Sequence, residues 1–170
     1  MKILSIDPGY DRTGVAVLEC DENSEIKLLY SDCLMTDKKI AFSERLMSIA
    51  KNIERIIKKY KPKVCATESL FFNKNQKTAM MVSQIRGMVL YLAAKNKMMF
   101  FEYGPLKVKV AVTGYGKSTK DQIVKILPRL ISIEKHINYD DEFDAIAIGL
   151  TCIAIESKSW NISKKNYKVS

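Results

Sequence analysis

The chain has 170 residues, enough for one domain with a real buried core. Hydrophobic residues make up 47% and charged residues 28%, as in ordinary globular proteins. No apolar run approaches the ~20 residues a spanning helix needs, so no membrane role is expected. The formal net charge of +9 suits a polyanionic partner, nucleic acid or an acidic membrane surface. Cys20, Cys33, Cys65 and Cys152 form no C-x-x-C pair and have no His at metal spacing. They read as reduced, buried thiols of a cytoplasmic protein. Met1-Lys2 leads directly into a strand, which leaves no place for a signal peptide.

Ile3 to Asp7 is the first predicted strand, and Pro8-Gly9 turns the chain at its end. Thr13 to Leu18 returns as a second strand, and Asp21 to Ser24 is a polar turn. Ile26 to Tyr30, extending towards Leu34, is a third strand, so the opening is a β-meander. The period then changes. Phe42, Leu46, Ile49, Ile53 and Ile56 lie on one helix face, and Lys61-Pro62 stops that helix. Val64 to Thr67 is a short strand ending in Glu68. A loop over Phe71 to Asn75 leads to a helix over Gln76–Lys95, with Met81, Ile85, Met88 and Leu92 on one stripe. Gly87 inside it weakens the helical pattern or marks a place of close packing. Met98 to Tyr103 is a fifth strand. Pro105 opens a short helix to Val112, and Gly114-Tyr115-Gly116 breaks it. Ser118 is expected to cap a helix to Leu127, before Pro128. A last helix starts at Asp140 or Asp141, with Ile146, Leu150 and Ile153 as its apolar side. A domain over residues 1–158 and a basic polar tail over 159–170 complete the organisation.

Three places put acids where chemistry can use them. Asp7 ends the first strand, Glu68 ends the fourth, and the last helix begins around Asp141 and Asp144. A long crossover can set the first and fourth strands side by side, with the last helix aimed at both. Four carboxylates brought together repel one another unless a cation neutralises them. Mg²⁺ takes hard oxygen ligands and keeps several waters, so a few carboxylates suffice. Two such ions on one phosphodiester activate water and stabilise the leaving oxygen. Each acid also has an ordinary structural reading. Asp-Pro-Gly is a common turn, and Asp140 or Asp141 can cap a helix. Periodicity leaves Asp140 and Asp141 equally open as partners of Asp144. The single histidine, His136, reads as a loop residue.

These residues resemble a known family. Ile6-Asp7-Pro8-Gly9 with Thr13-Gly14, then Glu68-Ser69-Leu70-Phe71, then Gln84-x-Arg86-Gly87 occur in the order typical of RuvC-type Holliday junction resolvases. So do Pro105-x-x-Val108-Lys109-x-x-Val112-x-Gly114-x-Gly116, Lys120-x-Gln122-Ile123 and Asp141-x-x-Asp144-Ala145-x-Ala147. The resemblance runs from Ile3 to about Cys152. It implies an RNase H-like α/β fold, a five-stranded mixed sheet with three antiparallel and two parallel strands, flanked by helices. It implies a homodimer that nicks opposed strands of four-way junction DNA. It also implies that Asp7, Glu68, Asp141 and Asp144 are catalytic, metal-binding acids, with Asp140 left as a cap. Two Mg²⁺ per site are expected, with Mn²⁺ as a possible substitute, and a branch-migration complex is a candidate partner.

Lys109 and Lys120 match basic residues beside the family's active site, and Phe71 matches an aromatic that meets junction bases. Such stacking contributes ~1–3 kcal/mol per base. Lys74, Lys77, Arg86, Lys107 and Lys117 are candidate phosphate contacts, which fix position and make binding salt-dependent. Tyr115 is bulky between its glycines, and the methionine-rich stretch from Met80 to Met88 is unusual for a dimer helix. Two other readings compete. A non-catalytic junction- or RNA-binding protein of the same fold would not need four acids facing phosphates. An ATP-handling fold of the actin or sugar-kinase type needs a second domain, for which 170 residues leave no room.

Overall fold

The computed structural model describes residues 1–69 and 76–166, with side chains for 1–69, 79–157 and 160. Three antiparallel strands come first: β1 (Lys2–Asp7), β2 (Arg12–Cys20) and β3 (Ile26–Met35). Helix α1 (Phe42–Tyr60) leads to β4 (Val64–Glu68), and α2 (Gln76–Lys95) leads to β5 (Met99–Tyr103). Helices α3 (Pro105–Thr113), α4 (Lys120–Leu130) and α5 (Asp140–Asn166) follow. The sheet order is β3-β2-β1-β4-β5. β1 is antiparallel to β2 and parallel to β4, which is in turn parallel to β5. This is the five-stranded mixed sheet expected from the sequence.

Strict alternation divides the core into two layers. Leu4, Ile6, Val15 and Val17 face α1 and α2, where Ile49, Ile53, Ile85 and Leu92 meet them. Ile3, Ala16 and Leu18 face the other helices, against Val108, Leu127, Ile146 and Ile153. Each of the larger aliphatic side chains contributes about 1.5–3 kcal/mol on full burial. Both sides of the sheet are thus covered, as its central parallel pairing requires.

Helix α5 lies unusually close to the sheet. A Cβ on Gly149 would stand 2.4 Å from Leu18 Cδ1 and 2.8 Å from Ser5 Oγ. A Cβ on Gly14 would stand 1.8 Å from the carbonyl oxygen of Asp141. Only glycine allows this approach, and it pins the first turn of α5 against β2.

Three details differ from the sequence expectations. Thr119, not Ser118, caps α4: its hydroxyl accepts from the Gln122 amide at 3.3 Å, and Gln122 Oε1 accepts from the Thr119 amide at 2.9 Å. This is a capping box. Ser118 is buried instead, its hydroxyl 2.7 Å from that of Thr113 and donating to the Tyr115 carbonyl at 2.8 Å. Pro128 lies inside α4, which runs on to Leu130 and closes with Ile131 N–H donating to Leu127 O at 3.1 Å. The third difference is the length of α5. It continues through Asn166, across the expected start of the tail, and Trp160 is buried in the core beneath it.

The four cysteines are free and buried. Among the described residues no helix is long and apolar enough to cross a membrane.

Candidate active site

The parallel register carries the first two acids to one place. Ile6 pairs with Thr67, so Asp7 and Glu68 leave adjacent strands at the same end of the sheet. On the other side of β1, Asp7 pairs with Gly14, the glycine on which the first turn of α5 rests. That contact delivers Asp141 and Asp144 to the same end. Asp140 begins α5 and Glu142 turns into the core, where Lys135 meets it at 2.5 Å.

The electrostatics show that the four carboxylates share one field. Burial, and then the charges of Asp144, Glu68 and Asp141, push the Asp7 carboxyl up to about 8, against the pull of Lys120. Glu68 is raised by burial and by Asp144, with Lys120 and Lys109 pulling the other way. Burial is the largest single influence on Lys120 and opposes its charge, while its hydrogen bond to Asp144 favours it. Together with the charges of Asp144, Asp7 and Asp140, that hydrogen bond holds the ammonium above the usual lysine range.

Two cations already stand among these acids. Lys120 Nζ donates to Asp144 Oδ2 at 2.8 Å from the first turn of α4, aimed there by the Thr119 cap. Arg12 Nε lies 3.0 Å from Asp141 Oδ2, and its guanidinium sits 5.3 Å over the Tyr139 ring. As placed, no three His, Cys, Asp or Glu among the described residues are set to hold a metal ion together. Asp141 and Asp144 turn to Arg12 and Lys120 instead. The donor set nevertheless fits a hard divalent cation: four carboxylates from three elements, with no thiolate or imidazole among them. The retained proton on Asp7 and the buried Asp141 Oδ2, which accepts no well-formed hydrogen bond, both mark an excess of negative charge.

The β1–β2 turn beside the acids is held by a buried arginine that the sequence reading missed. Arg45, on the inner side of α1, donates to Thr36 Oγ1 at 2.9 Å and to the Tyr10 carbonyl at 2.5 Å. It also reaches Asp11 at 3.2 Å and lies 4.6 Å over the Tyr10 ring. A sequence signal existed. Arg45 falls on the apolar stripe of α1, and a charge on such a stripe requires a partner. Arg12 lies at the start of β2 and carries no such signal of its own.

The remaining predicted residues are scattered. The charge of Lys109, on α3, pulls the Glu68 carboxyl down against its burial. Lys107 is exposed and lies 5.6 Å over the Tyr103 ring. Lys117 is exposed in the loop before α4. Arg86 is committed to Glu102 on β5 by two hydrogen bonds of 2.5 and 2.6 Å. Phe71 and Lys74 lie outside the described residues, as does the side chain of Lys77. His136 is an exposed loop residue, as expected.

The family model for crossover junction endodeoxyribonuclease RuvC matches residues 3–152. A curated relative from Thermosipho melanesiensis, named crossover junction endodeoxyribonuclease RuvC, is 39% identical over 158 residues, covering 93% of this chain and 99% of its own. A solved structure of Thermus thermophilus RuvC superposes with a TM-score of 0.83 at 24% identity, covering 94% of this chain and 97% of that one. A second, of T. thermophilus RuvC in complex with Holliday junction substrate, gives 0.82 at 23%, covering 94% and 96%. At these identities the two structures bear on the fold.

Proposed function

The chain belongs to the RuvC family of crossover junction endodeoxyribonucleases, and from that premise we propose that it resolves four-way DNA junctions by nicking opposed strands. The observation that carries the site assignment is the shared field of Asp7, Glu68, Asp141 and Asp144 at one end of the sheet. These four acids would hold Mg²⁺, two ions per site. Bound there, divalent metal supplies an activated water and charge stabilisation at the leaving oxygen. The protein's own groups do the rest. Asp7 and Glu68 sit on neighbouring strands of a rigid sheet, so the positions of these two ligands are fixed. Lys120, on a capped helix end, offers a donor to the charge that builds on the phosphoryl oxygens. Lys109 adds a second positive charge on the same side.

A non-catalytic binding protein is the poorer reading. Four acids gathered at one end of the sheet repel DNA, and a pure binder gains nothing from them. The deciding experiment compares a mobile four-way junction with linear duplex and flap DNA across a Mg²⁺ titration. Paired nicks in the junction alone, absent without divalent ion, are the expected result. Junction binding without nicking at any Mg²⁺ or Mn²⁺ concentration would reverse the choice between the two readings.

We further propose that the active form is a homodimer packed through α2. The inner side of this helix is buried through Ile85, Val89, Leu92 and Ala93. Its outer side exposes Met80, Gly87, Leu90 and Tyr91, with Met80 at 64% and Tyr91 at 62%. A Cβ on Gly87 would meet nothing within 4 Å, so this glycine serves no packing inside the protomer. It leaves room for a second helix to approach closely. Gly87→Glu therefore has space to fold, yet places bulk and charge where the second copy would lie. The expected result is a thermal midpoint close to wild type and dimer dissociation raised at least tenfold by sedimentation. Paired nicks would then become single ones. An undisturbed dimer would move the interface elsewhere. A branch-migration complex remains the candidate supplier of the junction, and the cytoplasm the compartment.

A further inference from the structure

A cavity of about 580 Å³ opens beside Asp141 and is not used by the reading above. Its size falls within the ~300–1,000 Å³ of small-ligand sites. Tyr10, Met35 and Val82 give it apolar walls from the β1–β2 turn, the end of β3 and α2. Arg12 and Lys38 stand in its lining, and Asp141 is the wall it shares with the catalytic acids. The local charge is balanced in an informative way. Lys38 meets Asp11 at 2.5 Å, and Arg45 meets the same carboxylate from below. Asp11 is thus fully engaged and does not repel an incoming anion.

Arg12 is held differently. Its contacts among the described residues are the Asp141 ion pair and the Tyr139 ring. The side chain is 46% exposed, and Asp141 Oδ2 accepts no well-formed hydrogen bond. The pair is therefore single and loose, without the two-point fork of a strong arginine–carboxylate contact. Whenever Asp141 is engaged in the catalytic cluster, the guanidinium is freed at the edge of the cavity. Its planar donors fit a phosphate.

We propose that this cavity is a nucleotide subsite, in which Arg12 binds a phosphate next to the one that is cut and Tyr10, Met35 and Val82 line the space for that nucleotide's sugar and base. The inference rests on the nuclease reading and gives it a contact that positions the cleaved strand. Such a contact acts on binding of the strand rather than on the chemical step.

The test places one uncharged methylphosphonate at each position within three phosphates of the cut. Affinity is measured by anisotropy in Ca²⁺ and nicking in Mg²⁺, for wild type, Arg12→Ala and Arg12→Lys. With wild type, one position beside the cut should weaken binding about tenfold. Arg12→Ala should bind the unmodified junction about tenfold more weakly and lose nothing further at that position. Its slope of log affinity against log salt should be shallower by about 0.9. Arg12→Lys should recover part of the affinity. If Arg12→Ala and wild type lose affinity equally at every position, the subsite does not exist. If Arg12→Ala changes only the Mg²⁺ dependence, the residue is a counter-ion of Asp141 and the proposal is overturned. Failure of wild type to bind or nick the unmodified junction would instead sink the nuclease reading beneath it.

Discussion

Asp7→Asn should abolish nicking, by ~10³-fold or more, while leaving junction binding intact. That loss corresponds to about 4 kcal/mol of transition-state stabilisation. Asp7 is the acid on which the charges of the other three converge, and its strand is central in the sheet. Asparagine keeps the shape and removes the charge. Binding should persist, because the substitution leaves the flanking cations Lys109 and Lys120 in place. Retention of even a tenth of wild-type nicking would show that the proposed centre is misassigned.

The same substitution has a signature in stability. The Asp7 carboxyl has a pKa of about 8 in the folded protein against 3.8 for an ordinary aspartate. Between those values the folded state holds a proton that the unfolded state has released. Stability without divalent ions must therefore fall as pH rises through this window, and flatten above pH 8. Asp7→Asn removes this dependence. It should melt higher than wild type at pH 7.5, with the gap closing towards pH 4. Adding Mg²⁺ should reverse the order, since a cation bound to the folded state alone raises the wild-type midpoint. Thermal melts at three pH values, with and without Mg²⁺, test both halves. A wild-type midpoint that rises from pH 5 to pH 8 without metal would contradict the burial of Asp7 among like charges.

Periodicity made most of the fold legible, because most of the fold is set by which side is wet. The Phe42, Ile49, Ile53, Ile56 stripe is the buried side of α1, and the Gln76–Lys95 boundaries are those of α2. The misses have local causes. Ser118 and Thr119 are equally good caps by chemistry, and Ser118 was claimed by the Thr113–Tyr115 turn. The polar composition after Ser157 signals solvent, whereas burial of one large side chain, Trp160, accompanies a longer helix.

The acids of the site were legible only as ends of elements. Asp7 closes a strand and Glu68 closes another, but nothing in their spacing states that the strands adjoin. The choice between Asp140 and Asp141 came from resemblance alone. Arg12 was invisible for a physical reason. Its role depends on what lies across a tertiary contact 129 positions away in the chain, at Asp141. Arg45 was visible in principle, as a charge on an apolar stripe, and Asp11 in the preceding turn was the partner to seek.

Gly14→Ala should disable the nuclease through the backbone alone. The added methyl would stand 1.8 Å from the carbonyl oxygen of Asp141, 2.5 Å from its carbonyl carbon and 3.2 Å from the Glu142 nitrogen. These are backbone atoms of a helix, so no rotamer change relieves the clash. The first turn of α5 must lift from β2, and Gly14 is the register partner of Asp7. The lift therefore separates Asp141 and Asp144 from Asp7 directly. Displacement of reacting groups by about 1 Å costs roughly 10²-fold in rate. The stability loss should be smaller, about 1–3 kcal/mol as for other overpacked sites, because the rest of α5 stays seated through Ile146, Ile153 and Gly149. Nicking assays beside circular dichroism melts separate the two effects. A folded Gly14→Ala protein with wild-type nicking would mean that the acids of α5 reach the phosphate without this contact, and the role given to Gly14 in delivering them would fall.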